Sequence, residues 1–191
     1  VQDIVFIVAV KEEIEKSTSI LDHPVIFSGV GKINATIAAC KAINLGYKKI
    51  INIGSCGSFK YSMGTLLKIG RVYQDIDITP LCNYGETLFE DNSLYIDLNS
   101  SEFSCITTDY FIDKSQINKY SPNLIEMIHS CSVFDMECCA IAKVCNLHDI
   151  NFVSYKWVSD DGDSDSWMES CKIGFEKLKK ILEHELKEER I

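Results

Sequence analysis

The sequence predicts an α/β domain in which a central mixed, largely parallel sheet is flanked by helices. Two patterns carry this expectation: near-continuous apolar runs rich in β-branched and aromatic residues, as in strands buried on both faces, and helix-period runs between several of them. Composition agrees. A chain of 191 residues with 46% hydrophobic side chains, 25% charged side chains and only 3 prolines is enough for one sizeable core and cramped for two. A single domain over 1–191 is therefore expected.

The strand-like runs are 3–10 (DIVFIVAV), 24–28 (PVIFS), 48–53 (KKIINI), 66–78, 103–108 (FSCITT), 132–135 and 151–158 (NFVSYKWV). The clearest helix is "KINATIAACKAINLGY", where Ile33, Ile37, Cys40 and Ile43 fall at three- and four-residue steps and Gly46 supplies a stop. A second helix covers 136–147. A third, from about 166 to 187, carries Met168, Cys171, Phe175, Leu178, Leu182 and Leu186 on one apolar stripe. Between 66 and 98 there is no helical period, and turn signals at "NYGE" and "EDNS" predict a hairpin-like excursion.

The net charge of −9, from 28 acidic and 19 basic residues, leaves no basic stripe with which to displace counterions from nucleic acid. Nine cysteines form no CxxC pair and are odd in number, so they read as reduced, small hydrophobes. The four histidines have neither HxxxH nor HExxH spacing, and no metal site is expected. The apolar start is too short to span a bilayer, lacks a basic flank and reads as a strand, which places the chain in a reducing, cytoplasmic setting with no membrane partner.

Open α/β sheets bind ligands beyond the carboxyl ends of their strands, which directs attention to "AVKEE", "NIGSCGS", "FDMECC" and "VSDDGDS". "FSGVGKINA" and "NIGSCGS" are Gly-rich turns able to present backbone N–H groups to an anion or a ribose. Each alone is equally a plain tight turn, and neither is a Walker A or GxGxxG motif. The acids of "KEE" suit a helix N-terminus, and "SDDGDS" lacks the terminal Glu of an EF-hand loop. Asp135 and Glu137 precede a helical run of small residues, where acids complement the macrodipole.

In this order and combination, "VAVKEEI", "SGVGKINA", "INIGSCGS", "TTDYFI", "FDMECCAIA" and "YKWVSDDGD" resemble the nucleoside phosphorylase and nucleosidase superfamily over nearly the whole chain. Within it the chain is most similar to the 5′-methylthioadenosine/S-adenosylhomocysteine nucleosidases. The resemblance implies an N-glycosidase acting on adenine-type nucleosides without metal or organic cofactor. It assigns Asp160 as the acid that protonates purine N7 from a partly buried site, and Glu13 as the base that orients the attacking water. Glu137, kept ionised by the helix N-terminus, accepts from the ribose hydroxyls, and Met136 packs under the sugar. Phe111 stacks on the adenine, the Ile112 backbone reads its edge, and Ser55 lies near the ribose or water. Val10 and Ile33 line the ribose and 5′ side, and Lys156 takes the place of an arginine near the sugar. Asp135 and Glu12 are neighbours without a catalytic role, while Asp161 and Asp163 either raise the proton affinity of Asp160 or lie exposed.

The resemblance also implies a homodimer, because family members complete the 5′ pocket with a partner's segment, here around 78–81. The chain departs from the family by being shorter, with the trimming spread through 58–130. Two other readings stand beside hydrolysis: a purine nucleoside phosphorylase using phosphate as nucleophile, and a nucleoside-binding protein without turnover. Against phosphate, the related phosphorylases carry an arginine two residues before the first Gly of "GSCG"; Asn52 stands there, and the only arginines are Arg71 and Arg190.

Overall fold

The computed structural model describes residues 3–89, 94–98, 101–160 and 167–188, apart from the side chains of Met168 and Glu188. Its strands are β1 (Ile4–Val8), β2 (Ser19–Ile20), β3 (His23–Phe27), β4 (Lys49–Gly57), β5 (Leu66–Gln74), β6 (Tyr95–Asp97), β7 (Phe103–Thr107), β8 (Val133–Asp135) and β9 (Asn151–Asp160). Its α-helices are α1 (Lys32–Asn44), α2 (Pro122–Ser130), α3 (Cys138–Leu147) and α4 (Trp167–Glu188). One mixed sheet contains all the strands. β1 pairs in parallel with β3 and β4, and β4 pairs in parallel with β9 along its whole length. β5 lies antiparallel to β9 and parallel to β7, and β7 is parallel to β8. β8 returns to β4 through Gly57 and Phe134, so the circuit β4, β9, β5, β7, β8 closes on itself.

The period-two alternation of β1 sets the two faces. Phe6 and Val8 join Ile51, Ile53, Trp157 and the α4 residues Cys171, Phe175, Leu178, Leu182 and Leu186 in one core. Val5 and Ile7 point the other way, into a core with α1, α3 and Ile50. Helices therefore cover both faces of the strands, as near-continuous apolar strands require. The seven buried cysteines, Cys56, Cys105, Cys131, Cys138, Cys139, Cys145 and Cys171, are free thiols spread over these two cores and two further apolar clusters, whereas Cys40 is exposed. No described helix is long and apolar enough to cross a membrane.

Four details differ from the sequence reading. Two of the three isoleucines that announce α1 face outward: Ile33 is 77% and Ile37 62% exposed, while Ala35, Ala38, Ala39 and Ala42 form the buried face and Ile43 packs at its edge. Alanine lets α1 approach the sheet and α3 closely, so the large side chains are left on the other side. "NIGSCG" is not a turn after a strand but the end of β4 itself, with an irregular register between Cys56 and Gly57. Asp160 is likewise the last residue of a strand. Helix α2 had a signal that went unread: Ser121 accepts from the Leu124 N–H, Pro122 opens the helix, and Leu124 and Ile128 bury one face. The excursion after β5 does return as the antiparallel strand β6.

Candidate active site

A cavity of about 200 Å³ lies at the carboxyl ends of β1, β4, β8 and β9. The four strand ends singled out in the sequence meet there. Val10, Glu13, Ser55, Phe111, Ile112, Met136, Glu137 and Asp160 line it; Ile33 and Lys156 do not. Phe111 and its neighbour Tyr110 are half-exposed at the mouth, and Ile112 is buried behind them.

After β1 the chain makes one turn of 3-10 helix over Lys11–Ile14, which turns Glu13 and Ile14 inward and leaves Glu12 exposed. The Glu13 carboxylate is then held from β4: the Ser55 backbone N–H and hydroxyl donate to Oε1 at 2.8 and 2.7 Å. The Val10 N–H donates to Oε2 at 3.3 Å. Gly54 is what allows this approach, since a Cβ there would stand 3.0 Å from Oε1.

At the end of β8 the two acids divide the work. Asp135 does what an acid at a helix start is expected to do, accepting from the Cys138 N–H at 2.8 Å; it also accepts from the Thr107 hydroxyl at 2.6 Å. Glu137 makes no cap of its own helix and instead accepts from the Gly31 N–H at 3.0 Å, across the site. Gly31 sits at φ +97°, a backbone position that favours glycine and that turns its N–H toward the carboxylate.

The expectation that the helix start keeps Glu137 ionised is corrected by its surroundings. Burial, with the Asp135 charge adding and Lys156 opposing, pushes the Glu137 carboxyl up to about 7. Because the folded value is raised, ionised Glu137 destabilises the fold at pH above 7 and costs nothing near pH 4. Glu137→Gln keeps the acceptor for Gly31 and removes the charge. We expect it to stabilise the protein by on the order of 2–3 kcal/mol at pH 8, several degrees in Tm, and hardly at all at pH 4.5. Thermal melts at the two pH values check this; an equal gain at both would contradict it.

Asp160 is buried at the end of β9, with the Ser159 hydroxyl 2.7 Å from its Oδ2 and 3.2 Å from the Cys56 carbonyl. Ser159 can donate to an ionised Asp160, or donate to the carbonyl and accept from a protonated one. Asp161 and Asp163 lie outside the described residues.

Lys156 is 1% exposed and sits beneath the cavity with its Nζ 2.7 Å from Asp135 Oδ2. Burial is the largest single influence and opposes its charge, but the Asp135 carboxylate together with Cys138, Glu137 and Cys105 outweighs it and keeps the ammonium protonated. Its contact is therefore with Asp135 under the floor. Ile33 belongs to the outer face of α1, and the apolar wall expected of it comes from Val30, held in the turn between Gly29 and Gly31. Val30 stood within the quoted "SGVGK", so the segment was legible and the residue was not. Trp167, Tyr110 and Phe134 also line the cavity and were missed; Trp167 is the first residue of α4 and stood outside the apolar stripe read for the tail.

Cys105, Asp135 and Cys138 bring ligand-type atoms within 4.8 Å of one another. The donor set does not suit a metal. The Lys156 ammonium already supplies the positive charge, and burial holds the Cys105 thiol well above its usual range, against the thiolate a metal needs.

The family model of the phosphorylase superfamily matches residues 18–187. The 5′-methylthioadenosine/S-adenosylhomocysteine nucleosidase of Buchnera aphidicola subsp. Schizaphis graminum is 32% identical over 165 residues, covering 74% of this chain and 67% of that protein. The protein of the same name from Shewanella sediminis is 27% identical over 166 residues, covering 76% and 71%. Among solved structures, futalosine hydrolase of Helicobacter pylori superposes with a TM-score of 0.78 at 18% identity, covering 96% of this chain and 98% of that one. The Campylobacter jejuni nucleosidase gives 0.74 at 22% identity, covering 96% and 99%. At such identities the structures speak for the fold, and the family model and sequence relatives for descent: the chain belongs to the phosphorylase superfamily, on the branch of the 5′-methylthioadenosine/S-adenosylhomocysteine nucleosidases.

Proposed function

We propose that the protein hydrolyses the N-glycosidic bond of adenine-type nucleosides, 5′-methylthioadenosine or S-adenosylhomocysteine among them. One observation carries the reading: Glu13, Glu137 and Asp160 converge on one largely apolar cavity, and no lysine or arginine is among the described residues lining it. A phosphate nucleophile needs cationic side chains. Asn52 is spent inside the sheet, donating to the Ile7 carbonyl and accepting from Ser154. Arg71 pairs with Asp97 at the β5–β6 edge, Lys32 pairs with Asp109, and Arg190 lies outside the described residues.

In this reading Glu137 accepts from the ribose hydroxyls above Met136 while Phe111 stacks on the base. Asp160 delivers its proton to N7 as the glycosidic bond breaks, so the bonding pair leaves with a neutral base. Water attacks the anomeric carbon from the opposite side, and Glu13 takes its proton. Val10 and Val30 give the sugar an apolar flank suited to a 5′-alkylthio group. The protein acts as one domain over 1–191 and as a homodimer, in a reducing compartment such as the cytoplasm. The exposed stripe of Ile33, Ile37 and Cys40 and the exposed Leu81 support a second copy as partner, and the free thiols support the compartment.

The base tests this assignment. Protonated Asp160 donates to N7, and as a carboxylate it accepts from a 6-amino group, so adenosine-type substrates are expected to exceed inosine in kcat/KM by roughly tenfold or more, as for one lost polar contact in a closed site. A nucleoside panel with the released base identified checks it, and equal efficiency on adenosine and inosine would count against Asp160 as the purine contact.

A further inference from the structure

We infer that Trp167 is a positioning residue that acts through Ser55 to fix the hydrogen-bonding pattern of Glu13; this rests on the nucleosidase reading above. Trp167 is the first residue of α4. Its side chain packs against the core formed by α4 and the sheet, and its edge lines the cavity. The indole Nε1–H donates to the Ser55 hydroxyl oxygen at 3.0 Å. An indole N–H can only donate, so the direction of this bond is fixed. The single hydroxyl proton of Ser55 is then committed to Glu13 Oε1, 2.7 Å away.

The consequence falls on which carboxylate oxygen is available. Oε1 receives both Ser55 donors, at 2.7 and 2.8 Å, and is close to saturated. Among the described residues, Oε2 receives only the long 3.3 Å bond from Val10 and keeps its accepting capacity. Oε2 is therefore the oxygen that binds and deprotonates water. A further neighbour of Ser55, the Cys171 thiol, is pushed up to about 12 by burial and stays neutral, so it does not draw the hydroxyl proton away from the carboxylate. Trp167 thus anchors in the core a chain that ends on the base, and no sequence motif marked it.

Trp167→Phe keeps the apolar wall and removes the donor. Its expected effect on 5′-methylthioadenosine hydrolysis is a loss of roughly three- to tenfold in kcat with KM little changed. In a Ser55→Ala background the same substitution is expected to cause no further loss, because the link to Glu13 is already cut. Independently of turnover, Ser55→Ala should move one of the two tryptophan indole N–H resonances of the ¹⁵N-labelled protein. Effects that multiply across the two substitutions, or a change confined to KM, would overturn the inference and leave Trp167 as wall. Failure of the wild-type protein to release any base would instead sink the nucleosidase reading, and an unmoved indole resonance would still overturn the link to Ser55.

Discussion

Asp160→Asn is expected to lower turnover of an adenine nucleoside by about two to four orders of magnitude while changing KM far less, the usual cost of losing a positioned general acid. Asparagine matches the shape of the side chain and can keep the Ser159 contact, so the cavity and the strand end are preserved. It can donate a hydrogen bond to N7 but cannot transfer the proton, and the base would have to leave as an anion. Steady-state kinetics on the two proteins, with Tm to confirm folding, measure the effect. Full activity of the variant would mean that another group protonates the purine.

Glu13→Gln has an expected loss of the same size for a different reason. The amide oxygen still accepts from Ser55, but the amide nitrogen replaces Oε2, which is the oxygen with accepting capacity to spare. It would face the Val10 N–H donor to donor and could not take a proton from water. Glu12→Gln is the matched control: Glu12 is exposed one position earlier, lines no part of the cavity, and its substitution should leave activity unchanged. Equal loss in both variants would point to general electrostatics and away from a positioned base.

The alternation of strands and helices was legible because the central strands β1, β4 and β9 are buried on both faces, and burial writes itself as an uninterrupted apolar run. The face that α1 buries was not, because periodicity locates large apolar residues, and here close packing selects alanines instead. Nor was the closing of β8 onto β4, which rests on the single Gly57–Phe134 pairing between segments far apart in the chain. In the site, Glu13, Glu137 and Asp160 were readable as acids at strand ends. Lys156 was not, since whether a lysine faces a cavity or a carboxylate beneath it depends on the fold bringing Asp135 of β8, a strand that does not pair with β9, within 2.7 Å. The ionisation of Glu137 was misjudged for the same reason: the sequence records a helix start, and only the fold records the burial.

Hydrolysis rests on a cavity whose lining, among the described residues, holds carboxylates and no cation. The most direct measurement is the sugar product of 5′-methylthioadenosine, identified by NMR with and without inorganic phosphate. Free 5-methylthioribose, formed at a rate indifferent to phosphate, is the predicted result. A rate that rises with phosphate and yields the sugar 1-phosphate would contradict it.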